Sequence, residues 1–148
     1  MRVEDVRVER VTDDAGFSRA WDVRYEVFVQ EQAVPEELER DDLDAAATHW
    51  LAVAGDEVVG TVRMVPEHGD TAHLGRLAVR APARGTGVGR LLVAAVEDEG
   101  RALGLTSCVL GAQVQAVPFY ERLGYAAYGE EFDDAGIPHR WMRKPLQG

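Results

Sequence analysis

The chain has 148 residues, 46% hydrophobic and 28% charged, with a formal net charge of −10 at pH 7. That length builds a single domain, here residues 1–148, whose core needs no covalent staples, and no apolar run approaches the ~18 residues of a membrane span. The acidic balance argues against a nucleic-acid partner, which would need a basic face, and suits a cationic one.

Cys108 is the single cysteine, so no internal disulfide forms, and its setting "TSCVLG" reads as a buried strand in which it serves as a small hydrophobe. The histidines at 49, 68, 73 and 139 have no metal-ligand spacing, and no metal site is expected. The N-terminal stretch "MRVEDVRVERVTDD" is acidic and alternating, unlike a secretory signal, which points to a cytoplasmic protein.

In chain order, Val3 to Val11 alternates as a strand. Asp13 or Asp14 then caps a helix whose apolar face is Phe17, Ala20, Trp21, Tyr25 and Phe28. "PEELERDDLDAA", from Pro35, has only Leu38 and Leu43 as anchors and reads as a short helix or surface loop. Such a charge run is by default a solvated face, and at the rim of a pocket it would attract amines. "THWLAVAG" and "EVVGTVRMVPE" flank a Gly55-Asp56 turn as a hairpin, and "AHLGRLAV" adds a third strand. Val88, Leu91, Leu92, Ala95, Val96 and Leu103 then share a helical face that ends at Gly104. A buried strand "TSCVLGAQ", a short helix "AVPFYERLGY" and two runs around 125–132 and 137–143 complete the chain.

Between the third strand of the meander and the following helix lies "RAPARGTGVGRLL", with Gly85, Gly87 and Gly89 on alternate positions. Glycine near a helix costs roughly 0.5–1 kcal/mol relative to alanine. Three of them at a helix start imply a ligand that touches bare backbone. An anion such as a phosphate or pyrophosphate suits the free N–H groups and the positive end of the dipole. No Gly-Lys-Ser/Thr follows, which excludes the Walker loop, and Arg90 stands where the dinucleotide fingerprint needs glycine.

What remains is Arg84, Gly87 and Gly89 as R-x-x-G-x-G after a strand and before an amphipathic helix. It resembles the acetyl-CoA loop of the GNAT family of N-acetyltransferases, and "AVPFYERLGY" resembles that family's late helix. The segments "RYEVFVQEQAVPEE" and "YGEEFDDAGIPH" further resemble its ElaA-like branch, so the resemblance covers nearly the whole chain. It implies a mixed α/β fold with a mostly antiparallel central sheet flanked by helices. It also implies transfer of an acetyl group from acetyl-CoA to an amine by direct attack in a ternary complex. By the same resemblance, the amides of Leu77, Ala78 and Val79 would line the pantetheine and acetyl carbonyl. Those of Gly85, Thr86, Gly87, Val88, Gly89 and Arg90 would hold the pyrophosphate, and Tyr120 would protonate the leaving thiolate. Arg84 would contact phosphate or fix the loop.

An alkylammonium must lose a proton before it can attack. Where many family members carry an acid on the strand before the loop, this chain has Gly75, with His73 nearby. Glu31, Glu131 and His139 are the candidates for the base. Gln113 or Gln115 would take the place of the family's usual asparagine at the end of the preceding strand. A non-catalytic acyl-CoA-binding sensor is the alternative function. The acceptor is unspecified by the sequence, and the oligomeric state stays open, a homodimer being the commonest assembly.

Overall fold

The computed structural model describes residues 2–66 and 69–146; His68 and the end of the "EVVGTVRMVPE" run at Glu67 lie outside them. Among the described residues seven strands form one sheet in the order β1-β2-β3-β4-β5-β7-β6. They are β1 (Val6–Arg10), β2 (Thr48–Ala54), β3 (Glu57–Pro66), β4 (Thr71–Val79), β5 (Ser107–Gln113), β6 (Ala126–Asp134) and β7 (Ile137–Pro145). Every neighbouring pair is antiparallel except β4 with β5. The helices are α1 (Asp14–Arg24), α2 (Glu36–Glu39), α3 (Val88–Ala102) and α4 (Val117–Arg122). The first strand is shorter than the alternation implies, because Val3–Asp5 winds into a 3-10 turn before β1 begins.

Apolar burial on both faces of the sheet explains the layers. Along β2, Trp50 and Ala52 point into the larger cluster, which holds Val88, Leu92, Val93 and Val96 of α3. Leu51 and Val53 alternate to the other face and meet Ala20, Val23 and Val27. Full burial of a residue such as Leu92 contributes roughly 2 kcal/mol.

Asp13 caps α1, its carboxylate accepting the Gly16 N–H at 2.7 Å. The buried face of this segment is Ala20, Val23 and Val27 with Phe28 packed against them, so Ala20 and Phe28 of the expected face take part while Phe17, Trp21 and Tyr25 are only partly buried. Tyr25–Glu31 continues α1 as a π-helix, in which the Gln32 N–H reaches back to the Val27 carbonyl. Phe17 and Trp21 are drawn instead to the Arg40 guanidinium, at 5.1 and 5.0 Å.

The sheet opens where it is parallel. β4 and β5 pair only from Thr71–His73 to Ser107–Val109, and beyond those residues the two strands part. β4 is also bulged: Arg63 stands opposite Gly75 and Thr61 opposite Ala78, leaving Arg76 and Leu77 facing one residue of β3. Arg76 takes a left-handed φ of 54° to make the bulge.

A candidate active site in the cleft between β4 and β5

The parting strands enclose a cleft of about 1180 Å³. One end of its lining is the turn that leads from β4 into α3. Gly85 and Gly87 have φ of 77° and 99°, conformations that a Cβ would strain. Gly87 is the N-cap of α3, and no side chain caps the helix, so the amides of its first turn stay unpaired by side chains. Gly89 serves a different purpose. A Cβ there would meet Phe119 of α4 at 3.2 Å, so this glycine lets the two helices approach. The Thr86 hydroxyl donates to the Ala83 carbonyl and Val88 is buried in the core, so at these two positions only the backbone is left for a ligand.

Arg84 fixes the loop in this structure. Its Nε donates to the Val79 carbonyl at 2.9 Å, and its Nη2 donates to both carboxylate oxygens of Glu31 at 2.8 Å. Glu31, a candidate base, is thereby held in an ion pair on the cleft lining. Of the β4 residues assigned to the donor, Leu77 and Val79 line the cleft, while the Ala78 side chain packs on the opposite face with Val23 and Leu51.

Tyr120 is 7% exposed and borders the cleft, with ring contacts to Phe119 at 4.9 Å and Tyr125 at 5.8 Å. Its hydroxyl has no hydrogen-bond partner among the described residues. Burial pushes this phenol up from its ordinary value, and the neighbouring Cys108 thiol adds to the effect. Cys108 itself is fully buried, and desolvation raises it to about 11, so it stays a protonated, inert thiol.

His139 on β7 stands opposite Gln113 of β5, and both line the cleft. Its Nδ1 lies 2.7 Å from the Ile137 carbonyl. A carbonyl only accepts, so Nδ1 is the donor, and in the neutral ring that tautomer leaves the lone pair on Nε2. The Gln113 amide donates to Gln32 at 2.7 Å and accepts from Gln115 at 2.6 Å, tying the end of β5 to the end of the π-helix. Glu131, the remaining candidate, is exposed on β6 and does not line the cleft; its neighbour Phe132 does. Strand alternation puts consecutive residues on opposite faces, and here the phenyl ring has the cleft face.

The acidic segment after Pro35 is the largest departure from its solvated reading. Glu39 is only 4% exposed and Asp41 and Asp44 are partly buried, because three arginines meet them. Arg24 pairs with Glu39 and Asp44, both at 2.8 Å. Arg63 pairs with Asp41 and Asp44, also at 2.8 Å, and Arg76 with Glu39 at 3.0 Å and Asp41 at 3.1 Å. Burial pushes the Asp44 carboxyl up, but hydrogen bonds and charge from Arg24 and Arg63 more than reverse this and hold it at about 2. For Glu39 burial prevails over the pull of Arg76 and Arg24, and its carboxyl lies above the usual range. Arg63, set in the apolar run "EVVGTVRMVP", was the one readable signal, since a charge in a buried strand requires partners.

An opened sheet, a glycine turn feeding a helix and a buried tyrosine beside the opening are the features that the resemblance to the N-acetyltransferases implies. The chain belongs to the GNAT acetyltransferase family, whose domain model, "Acetyltransferase (GNAT) domain", matches residues 6–146. It is 42% identical over 126 residues to the uncharacterized N-acetyltransferase YjcF of Bacillus subtilis (strain 168), covering 84% of this chain and 89% of YjcF. The fold is similar to that of an acyl-CoA N-acyltransferase from Pseudomonas aeruginosa, with a TM-score of 0.84 and 27% identity over 94% of this chain and 99% of that one. Escherichia coli ElaA shares the fold with a TM-score of 0.83 and 24% identity, over 94% of this chain and 99% of ElaA.

Proposed function

We propose that the protein transfers an acetyl group from acetyl-CoA to a primary amine by direct attack within a ternary complex. One observation carries this reading: the glycine turn, Tyr120 and His139 line one cleft. The unpaired amides at the start of α3 suit the donor's pyrophosphate. Arg90 and Arg122, which line the same cleft and have no acidic partner among the described residues, add positive charge for its phosphates.

His139 takes a proton from the acceptor ammonium at Nε2. The freed amine nitrogen bonds to the thioester carbonyl carbon and the carbon–sulfur bond breaks. Tyr120, kept protonated by burial, donates its hydroxyl proton to the departing sulfur. The bonded nitrogen then sheds its second proton, which restores the Tyr120 hydroxyl, and the proton on His139 passes to solvent, so that turnover releases amide, thiol and one proton.

Calorimetric titration with acetyl-CoA beside ATP and NAD, followed by thiol release with an amine panel, tests this reading. Selective acetyl-CoA binding with amine-dependent thiol release is the expected outcome; binding without release from any amine would favour the sensor reading. Replacing His139 by Asn should lower kcat/KM about a hundredfold, with partial rescue by added imidazole.

A further inference from the structure

Besides the glycine turn, the cleft is lined by the acidic segment and by the β6–β7 hairpin. An acceptor with several ammonium groups needs several carboxylates free of other cations. Among the described residues four carboxylates line the cleft, and three are engaged: Glu31 by Arg84, Glu39 by Arg24 and Arg76, and Asp41 by Arg63 and Arg76. Asp134 alone has no cation partner among the described residues. The acidic composition of the chain therefore does not reach the cleft as a free negative field.

The β5 side of the cleft carries a shelf of rings instead. Phe132 stacks on Trp141 at 4.9 Å and 23°, and on His139 at 5.6 Å and 28°. Gly111 of β5 makes room for them, since a Cβ there would stand 3.3 Å from Phe132 Cζ and 3.6 Å from Trp141 Cζ3. Phe28, Leu38 and Leu43 also line the cleft, and the two leucines are 54% and 50% exposed, apolar surface that an occupant would cover.

We infer that the acceptor is a primary amine with one positive charge, carried on an aromatic or branched aliphatic arm that lies on the Phe132–Trp141 shelf. This rests on the acetyltransferase reading above. Burying the arm against rings supplies the binding, and the nitrogen meets His139 at the edge of the same stack. A free aralkylamine and an aromatic residue at a peptide N-terminus present this chemistry alike.

The test measures thiol release by the full chain with phenethylamine, a Phe-Ala dipeptide, spermidine and kanamycin. At least one of the first two should exceed both polycations in kcat/KM by about tenfold or more, and which of them leads separates the two sources. Phe132→Ala, and independently Gly111→Val, which pushes the rings aside, should each erase that preference mainly through KM. Acetyl-CoA binding by calorimetry reports that the variants are folded. A preference for spermidine or kanamycin overturns this inference alone, as does selectivity that survives in a folded variant. Acetyl-CoA binding with no amine turned over overturns the acetyltransferase reading, and this one with it.

Discussion

At the start of α3 the cleft wall is backbone: Gly85 and Gly87 in left-handed conformations, and amides that no side chain caps. Around the acidic segment the wall is side chain: Arg24, Arg63 and Arg76 set against Glu39, Asp41 and Asp44. The first region offers partial positive charge to a ligand and keeps it unspent. The second assembles six full charges and cancels them among themselves. A site for phosphates needs little more than a turn, whereas a buried ionic cluster needs partners from distant parts of the chain, and its removal is felt by the fold before it is felt by the chemistry.

That contrast predicts that the side-chain cluster carries the larger stability effects. Asp44→Ala leaves Arg24 and Arg63 each short of a partner, and breaking a buried pair on one side costs about 3–5 kcal/mol. A urea midpoint close to that of the unaltered protein would show the cluster to be surface decoration. Tyr120→Phe should do the reverse, lowering kcat by on the order of a hundredfold while acetyl-CoA affinity from calorimetry and the urea midpoint hold.

Acid should find the same cluster. The Asp44 carboxyl sits at about 2, below its ordinary 3.8, so its stabilisation is complete above the ordinary value and is lost as the pH falls through about 2. The amount is about 2 kcal/mol. Glu39, shifted upward, has the opposite sign, because the folded protein takes up its proton more readily than the unfolded chain does. Urea midpoints measured from pH 5 to pH 2 should therefore fall less steeply in Asp44→Asn than in the unaltered chain. Parallel curves would remove Asp44 as the titrating group.

At the backbone wall the effect is smaller for the fold and larger for the ligand. Gly87→Ala should cost about 1–2 kcal/mol for a left-handed residue bearing a Cβ, and weaken acetyl-CoA by about tenfold or more. Gly89→Ala presses on Phe119 instead, so its loss should appear mainly in stability. Equal losses of affinity in the two variants would mean that the glycines act alike, against the separate reasons found for them.

How much of this was legible in the sequence follows the same division. The glycine turn, the order of elements and the late helix with Tyr120 are local patterns, and each stands where its pattern implies. On α1 the aromatic positions 17 and 21 face the distant Arg40 guanidinium, a partner that no spacing along the helix announces. The ionic cluster joins positions 24, 39, 41, 44, 63 and 76, and no spacing announces such a set. His139 could be named as a candidate, but its free nitrogen depends on the Ile137 carbonyl that only the strand geometry supplies.

Glu31 joins the two regions, and it sharpens the comparison with the smallest expected effect. Its ion pair with Arg84 is more than a third exposed on both sides, and such pairs contribute about 0–1 kcal/mol. Glu31→Gln should therefore leave the urea midpoint nearly unchanged. The variant frees the Arg84 guanidinium at the end of the cleft assigned to phosphates and removes a carboxylate that would repel them. Acetyl-CoA should then bind a few-fold more tightly, with a steeper dependence on salt as an unpaired cation meets an anionic ligand. Weaker binding would instead mean that the pair holds the glycine turn in its binding shape, and that the backbone wall depends on a side chain after all.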